Sequence, residues 1–301
     1  IWRYFLVSSR FLDMLSEGVV LFDGAMGTML YDRGVFINRC FDETNLSNPG
    51  LVEDIHEEYI DAGAGVIETN TFGANRFKLS LHGFDGKMRE INLAGAELAR
   101  RASNGRVVVA GAIGPLGIRI EPWGPTSNEE AAGAFAEQAA ALVEGGVDII
   151  VLETFADLNE IHQAINGVRS VTALPVVAQM TLQQDGLGLY GTEPADFASR
   201  LDGWDVEAVG VNCSVGPRVM LEAIEKIAAV VSKWISAQPN AGIPQSVDGR
   251  NIYMTSPEYM AEYSRRFVKA GARIVGGCCG TTPAHIKAIA CLLYTSDAAD
   301  E

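Results

Sequence analysis

Short apolar runs rich in β-branched residues alternate along the chain with longer stretches of amphipathic helical spacing. The eight runs span residues 19–22, 65–68, 107–110, 148–152, 175–180, 208–211, 234–237 and 273–275. The helical stretches span residues 51–62, 88–102, 129–144, 159–168, 194–201, 220–231, 257–270 and 283–293. A repeated order of strand and helix predicts parallel strands joined by right-handed crossovers.

Several predicted helices end in a glycine-containing phrase that leads directly into the next run. Examples are Ala62-Gly63-Ala64-Gly65, Glu144-Gly145-Gly146 and Ala270-Gly271-Ala272. Glycine at these positions predicts a left-handed helix cap followed at once by a strand. Eight such units in roughly 270 residues predict a single-domain α/β protein with the (β/α)₈ TIM barrel fold, covering residues 1–293.

A doubly wound open sheet is the alternative fold. Its first strand-to-helix turn would be expected to carry Gly-x-Gly-x-x-Gly if it bound a dinucleotide. The turn here is Asp23-Gly24-Ala25-Met26-Gly27-Thr28, which lacks that spacing. The barrel is therefore the preferred prediction.

Three cysteines follow predicted strands, where barrel enzymes place their reacting groups. Cys213 ends the sixth run, and Cys278 and Cys279 follow the eighth. Adjacent residues on a strand point to opposite faces, so Cys278 and Cys279 can share a target only where flanking glycines break the strand. Three converging thiolates predict a catalytic Zn²⁺ site with one open position, in which all three are metal ligands and catalytic groups. A redox pair or simple packing is the alternative.

The remaining cysteines and the histidines suggest no further chemistry. Cys40 and Cys291 are interpreted as small buried hydrophobic residues. Five cysteines are too few and too uneven for a disulfide framework, which favours a reducing compartment and a cytoplasmic location. No histidine follows a predicted strand, so the fourth metal position is left for water or a substrate thiol.

Polar residues at other strand ends predict recognition of an amino acid. Glu153 ends the fourth run and is expected to face a substrate ammonium group, although a hydrogen bond to a loop amide would also explain it. Asp23, Gly24 and Ala25 form a turn whose amides could hold a carboxylate, or whose role is structural only. With zinc for a thiol, the set fits an amino-acid thiol. Residues 68–71 and Asn212 could line the same ring, with alternate members facing inward.

The charge and the apolar content exclude some partners. The formal charge is −15, which argues against nucleic acid and anionic membranes. No run reaches the roughly 20 apolar residues of a membrane span. The first residue is Ile, and residues 294–301 leave the apolar period, so a non-native start and a non-native C-terminal tail are expected.

The strand-end phrases together resemble the homocysteine S-methyltransferase family over about residues 18–292. The resemblance is carried by Asp23-Gly24-Ala25-Met26-Gly27-Thr28, Glu68-Thr69-Asn70-Thr71-Phe72, Gly210-Val211-Asn212-Cys213 and Gly276-Gly277-Cys278-Cys279-Gly280. It implies a (β/α)₈ barrel with zinc on Cys213, Cys278 and Cys279, and with the homocysteine thiolate completing the zinc shell. It further implies that Asp23, Gly24, Glu153 and Thr69 hold the amino-acid end. Many relatives carry glycine at Ala25.

The resemblance implies zinc-dependent methyl transfer to L-homocysteine, giving methionine. The stretch Gln238-Pro239-Asn240-Ala241-Gly242 is similar to the homocysteine module of cobalamin-dependent methionine synthase, and 31–40 is similar to bacterial fusions with a methylenetetrahydrofolate reductase. A folate or reductase domain could then follow the C-terminus. The methyl donor is left open among methyl-cobalamin, methyl-folate, S-methylmethionine and betaine.

Two other functions fit the same residues. The chain could be a zinc and homocysteine module that is silent when isolated. Alternatively, 276–282 could be a phosphate-binding loop of a barrel enzyme without zinc, because barrels often bind phosphate after the last strands.

Overall fold

A computed structural model describes residues 9–247 and 250–296. Within them, eight parallel strands form a closed barrel. The barrel strands are β1 (Val20–Leu21), β2 (Val66–Glu68), β3 (Val108–Ile113), β4 (Ile149–Phe155), β5 (Val176–Met180), β6 (Ala208–Asn212), β7 (Trp234–Gln238) and β10 (Ala272–Val275). They follow the order β2, β3, β4, β5, β6, β7, β10, β1 around the barrel. Asp23 N donates to Val66 O at 3.0 Å and Gly65 N to Leu21 O at 2.8 Å, which closes β1 against β2. The predicted (β/α)₈ TIM barrel is confirmed.

Helices cover the outside of the barrel and connect the strands. They are α1 (Arg10–Glu17), α2 (Gly27–Asp32), α3 (Thr44–Ser47), α4 (Pro49–Asp61), α5 (Arg76–Ser80), α6 (Met88–Ser103), α7 (Asn128–Glu144), α8 (Leu158–Val171), α9 (Pro194–Asp202), α10 (Pro217–Ala228), α11 (Pro257–Lys269) and α12 (Pro283–Ser296). The caps at Gly63, Gly146 and Gly271 have φ values of 106°, 89° and 110°, as predicted. α10 lies three residues earlier than its predicted range, since Pro217 supplies a favourable first helical residue. α12 continues three residues beyond 293.

The inside of the barrel consists of an apolar layer below a polar layer. Val66, Val151 and Val177 belong to the interior apolar cluster. Side chains two residues further along a strand point the same way, so the pleat places Glu68, Glu153 and Gln179 in the next layer towards the carboxyl ends. The same parity places Asn212 above Ala208 and Gln238 above Trp234. The polar layer therefore lies directly beneath the mouth of the barrel.

Helix α1, which the sequence pattern did not predict, closes the opposite end. Phe11 and Leu15 are fully buried and pack into the interior apolar cluster. Arg273 Nε donates to Leu15 O at 3.1 Å, which ties the end of α1 to β10. With this end filled, entry to the interior is from the carboxyl ends of the strands.

A second unpredicted element is a hairpin after β7, formed by β8 (Gln245–Val247) and β9 (Arg250–Ile252). It returns the chain to Tyr253, whose ring lies against Gly280 in the loop after β10. Across 9–247 and 250–296, no helix combines the length and apolarity needed to cross a membrane.

Candidate active site

Three thiols converge at the mouth of the barrel. The Sγ atoms of Cys213, Cys278 and Cys279 all lie within 4.8 Å of one another, and those of Cys213 and Cys279 are 3.7 Å apart. Two thiolates about 2.3 Å from one tetrahedral zinc ion lie about 3.8 Å apart, so this spacing fits a shared metal ion. The predicted cysteines are therefore brought together, although β6 and β10 are separated in the sheet by β7.

Breaks in the strands allow this convergence. Cys213 and Ser214 adopt left-handed φ values of 59° and 57°, so the pleat ends at Asn212. Asn212 and Cys213 can then both reach the centre, whereas a continuing strand would point them apart. In the other loop, Gly280 has a φ of 80°, and a Cβ there would lie 2.1 Å from Tyr253 Cγ. That position requires glycine.

The thiol cluster favours loss of one proton, from Cys279. Cys213 and Cys278 donate hydrogen bonds that lower the pKa of Cys279 to about 3. The same contacts with Cys213 and Cys279 raise the pKa of Cys278 well above its usual range, because neighbouring thiolates compete for the remaining protons. A bound cation removes this competition by stabilising several thiolates at once. Soft sulfur donors in this number suit Zn²⁺.

Three carboxyl groups lie beside the thiols in the polar layer. Asp23 Oδ2 accepts from Glu68 N at 2.9 Å, and Glu68 Oε1 accepts from Gln238 Nε2 at 2.9 Å. Burial, and secondarily the charge of Glu68, raises the pKa values of Asp23 and Glu153 well above normal. Burial raises the pKa of Glu68 to about 7. The cluster is thus poised to receive a cationic group.

Asn212 connects the carboxyl groups to the thiols. Its Nδ2 donates to Glu153 Oε2 at 3.1 Å and to Thr154 Oγ1 at 2.8 Å, and lies 3.9 Å from Cys278 Sγ. Its Oδ1 accepts from Thr154 N at 2.6 Å. Thr154 has a left-handed φ of 61° in an irregular part of β4, so Asn212 fixes the segment that carries Glu153.

The turn predicted to hold a carboxylate is tightly packed. Ala25 N already donates to Thr281 Oγ1 at 3.1 Å, and Tyr59 Oη donates to Ala25 O at 2.8 Å. A Cβ on Gly24 would lie 2.5 Å from Thr281 Oγ1, so the backbone approaches this side chain closely. Substrate contacts by Gly24 and Ala25 stay predictions.

Thr69 faces away from the polar layer. Its Oγ1 accepts from Ala112 N at 3.0 Å and shares a 2.6 Å hydrogen bond with Thr71 Oγ1. The reason is pleat parity, since Glu68 occupies the inward position of β2. A substrate contact by Thr69 stays a prediction, and its hydroxyl is engaged between strands in this structure.

Sequence reasoning missed two residues of the site, Gln179 and Tyr253, and gave Glu68 and Gln238 no separate role. Gln179 Nε2 donates to Ser236 Oγ at 2.7 Å and also to Gln238 Oε1. The inward positions of Glu68, Gln179 and Gln238 could have been found by following every second residue along each strand from an apolar interior position. Tyr253 hydrogen-bonds to Cys279, and no local sequence signal connects it to that loop.

The loop proposed as a phosphate site uses its amides internally. Gly277 N donates to Asp23 O at 3.0 Å, Cys278 N to Pro239 O at 2.9 Å and Gly280 N to Thr28 Oγ1 at 3.2 Å. Thr281 N and Thr282 N also donate within the protein. This geometry weakens the phosphate interpretation because the amides that would bind phosphate already have acceptors.

The other two cysteines differ from each other. Cys40 is buried as predicted and its thiol lies 3.8 Å from Asp42 Oδ2. The prediction of burial is wrong for Cys291, which lies on the exposed side of α12. The amphipathic pattern of α12 was too weak to fix its buried face.

Comparison with known proteins places this geometry in one family. The family model described as homocysteine S-methyltransferase matches residues 20–293. Methionine synthase of Mycobacterium tuberculosis is 32% identical over 303 residues, covering 95% of this chain and 25% of that protein. Methionine synthase of Mycobacterium leprae is also 32% identical, covering 93% of this chain and 24% of that protein. The chain thus spans about a quarter of the length of these relatives.

A solved structure of a homocysteine methyltransferase matches this chain over nearly the whole length of both proteins. The metallated form of the homocysteine methyltransferase MmuM from Escherichia coli superposes with a TM-score of 0.78 and 26% identity, covering 93% of this chain and 97% of that one. A methyltransferase from Methanosarcina mazei, at a TM-score of 0.62 and 11% identity, shares the fold.

Proposed function

Because the chain belongs to the homocysteine S-methyltransferase family, we propose that it transfers a methyl group to the thiol of L-homocysteine and so forms methionine. One observation carries this proposal: three thiols within 4.8 Å of one another lie beside buried carboxyl groups at the end of the barrel opposite α1. Such a site offers a metal for sulfur and acceptors for an ammonium group.

Cys213, Cys278 and Cys279 would hold Zn²⁺ in this proposal. When bound, zinc supplies positive charge that keeps a coordinated thiol deprotonated near neutral pH. The 3.7 Å separation of two of the sulfurs and the all-sulfur donor set support this choice of metal. The proposed site needs reduced thiols, which a cytoplasmic location would provide.

The remaining residues would bind and orient the amino-acid end. Asp23 and Glu153 accept hydrogen bonds from the ammonium group, and Gly24 and Ala25 face the carboxylate. Asn212 holds Glu153 at a fixed distance from the thiols through its 3.1 Å hydrogen bond. This arrangement would direct the substrate sulfur towards the metal held by the three cysteines. It would also fix the orientation of that sulfur for methyl transfer.

The second candidate is a homocysteine-binding module that depends on other domains for its methyl donor. The coverage of only 25% of the M. tuberculosis methionine synthase favours it, and a folate or reductase domain would then supply the methyl group. The coverage of 97% of the E. coli homocysteine methyltransferase structure favours activity of the module alone.

The test is methionine formation by zinc-loaded protein with L-homocysteine and each donor in turn. Methyl-cobalamin, methyl-folate, S-methylmethionine and betaine are compared, with Cys213→Ser as the inactive control. Methionine from one donor supports the enzyme. Homocysteine binding without product from any donor supports the module. Failure to bind homocysteine contradicts both.

A further inference from the structure

The polar layer of the barrel holds more hydrogen-bond acceptors than donors. Asp23, Glu68 and Glu153 each accept hydrogen bonds through one oxygen, from Glu68 N, Gln238 Nε2 and the Asn212 amide. A carboxylate can accept about four hydrogen bonds in all. Acceptor capacity therefore remains for a ligand that brings several N–H donors.

Gln179 provides independent evidence for such a ligand. Its side chain is fully buried, and its Oε1 has no hydrogen-bond partner among the described residues. Its Nε2 donates to Gln238 Oε1, and Gln238 Nε2 in turn donates to Glu68 Oε1. The unpartnered oxygen thus lies at the end of a hydrogen-bonded chain that leads to the carboxyl groups. A buried acceptor without a donor is costly unless a ligand supplies one.

The ionisable groups around the three carboxyl groups bring more negative than positive charge. Glu68 faces Asp23 at the end of β1 and Glu153 on β4, and the charge of Glu68 raises the pKa values of both. Lys78 on α5 acts on Glu153 from the other side, but it also faces Asp42 and Glu160. The phenols of Tyr59 and Tyr253 and the three thiols also lie nearby, and they add no positive charge.

We propose that Glu68 is a third acidic contact for the ammonium group of the substrate, and that it holds a proton which leaves when the substrate binds. The inference rests on the proposed function, because it takes homocysteine as the ligand. In this step the O–H bond of the Glu68 carboxyl breaks and its proton passes to buffer. The ammonium keeps its three protons and donates hydrogen bonds to the ionised Glu68 carboxylate and to the carboxyl oxygens of Asp23 and Glu153, which keep their own protons because their pKa values are raised well above normal. Gln179 Oε1 is an additional acceptor.

Two consequences follow for affinity. Because burial raises the pKa of Glu68 to about 7, binding below neutral pH must remove this proton, and homocysteine affinity falls as pH is lowered. Above about pH 8 the Glu68 carboxylate is already ionised, and its contribution to the pH dependence of affinity disappears. A thiol acid without an amino group, such as 4-sulfanylbutanoate, would gain nothing from this site.

The experiment is calorimetric titration of zinc-loaded protein with L-homocysteine at about pH 6.5, in two buffers of different ionisation enthalpy. The parent protein is expected to release about one proton more than Glu68→Gln, since the thiol proton is common to both. Glu160→Gln is the matched control, because Glu160 is a second largely buried acid whose pKa is raised to about 7. It should release as many protons as the parent.

Equal proton release by the parent and Glu68→Gln overturns the inference while leaving methyl transfer to homocysteine intact. Absence of homocysteine binding by the parent overturns both. If Glu68→Gln does not fold, the parent alone decides: its proton release should fall by about one between roughly pH 6 and pH 8.5. A constant release overturns the inference.

Discussion

Asn212 Nδ2 donates to Glu153 Oε2 at 3.1 Å across the mouth of the barrel. The two residues lie on β6 and β4, which β5 separates in the sheet. Since Asn212 also lies 3.9 Å from Cys278 Sγ, this single amide sets the distance between the carboxyl groups and the thiols. The amino-acid end and the sulfur end of a substrate are thereby held in one frame.

Replacement of Asn212 should therefore weaken substrate binding more than metal binding. Asn212→Ala leaves Glu153 and Thr154 without their shared partner, which typically costs about 1–3 kcal/mol. We expect homocysteine affinity to fall about tenfold or more while zinc content stays at the parent level, as measured by calorimetry and metal analysis. Asn166→Ala on the exposed side of α8 is the control. Unchanged affinity in Asn212→Ala would contradict this role.

Removal of one thiol should abolish tight metal binding. Cys278→Ser replaces a soft thiolate with a poor ligand and leaves two sulfurs, so zinc affinity should fall by at least about 100-fold. Cys291→Ser, on the exposed side of α12, should bind zinc like the parent. Competition with a colorimetric chelator measures both. Equal affinity of the two variants would exclude Cys278 as a ligand.

Gly280 should be the glycine of this loop that tolerates substitution least. Gly280→Ala forces a side chain into a φ of 80° and against Tyr253, where a Cβ would lie 2.1 Å from Cγ. Gly83 has a similar φ of 75° with nothing within 4 Å of a Cβ, so Gly83→Ala isolates the conformational cost of about 1 kcal/mol. Chemical denaturation of metal-free protein should show a clearly larger loss for Gly280→Ala. Equal losses of unfolding free energy in the two variants would mean that Tyr253 moves aside without cost, which would contradict the prediction.

The sequence predicts the barrel because the strands appear as short apolar runs and the helices show apolar residues at helical spacing. The thiols and the polar layer of the site differ in how readily the sequence predicts them. Cys213, Cys278 and Cys279 stand at strand ends, and strand ends of a barrel meet at one rim. Gln179 lies inside β5 and Gln238 is the last residue of β7, and only the register of the apolar layer below them reveals which way they point.

Other parts depend on contacts between distant segments. Tyr253 reaches Gly280 through the hairpin β8–β9, and α1 fills the far end of the barrel through Phe11 and Leu15. Neither relationship has a local pattern, because both depend on the shape of the assembled barrel. The motif predicts Thr69 as the substrate contact, whereas pleat parity turns its neighbour Glu68 inward.

Glu160 should make stability depend on pH near neutrality. Burial raises its pKa from 4.5 to about 7, so the folded state binds a proton that the unfolded state has released. This contribution is fully present below about pH 4.5 and is lost as pH rises to about 7, by at most about 3 kcal/mol. Glu160→Gln should flatten the decline in unfolding free energy between pH 5 and pH 8 in denaturant titrations. Parallel curves for the parent and the variant would contradict this assignment.

X-ray absorption at the zinc edge tests the central claim most directly, because it reads the atoms around the metal without any methyl donor. Zinc-loaded protein is measured alone and with L-homocysteine. The account predicts three sulfur neighbours at about 2.3 Å without substrate and four with it, the fourth being the homocysteine sulfur. Fewer than three sulfurs in the free protein, or a sulfur count that does not rise with homocysteine, would contradict it.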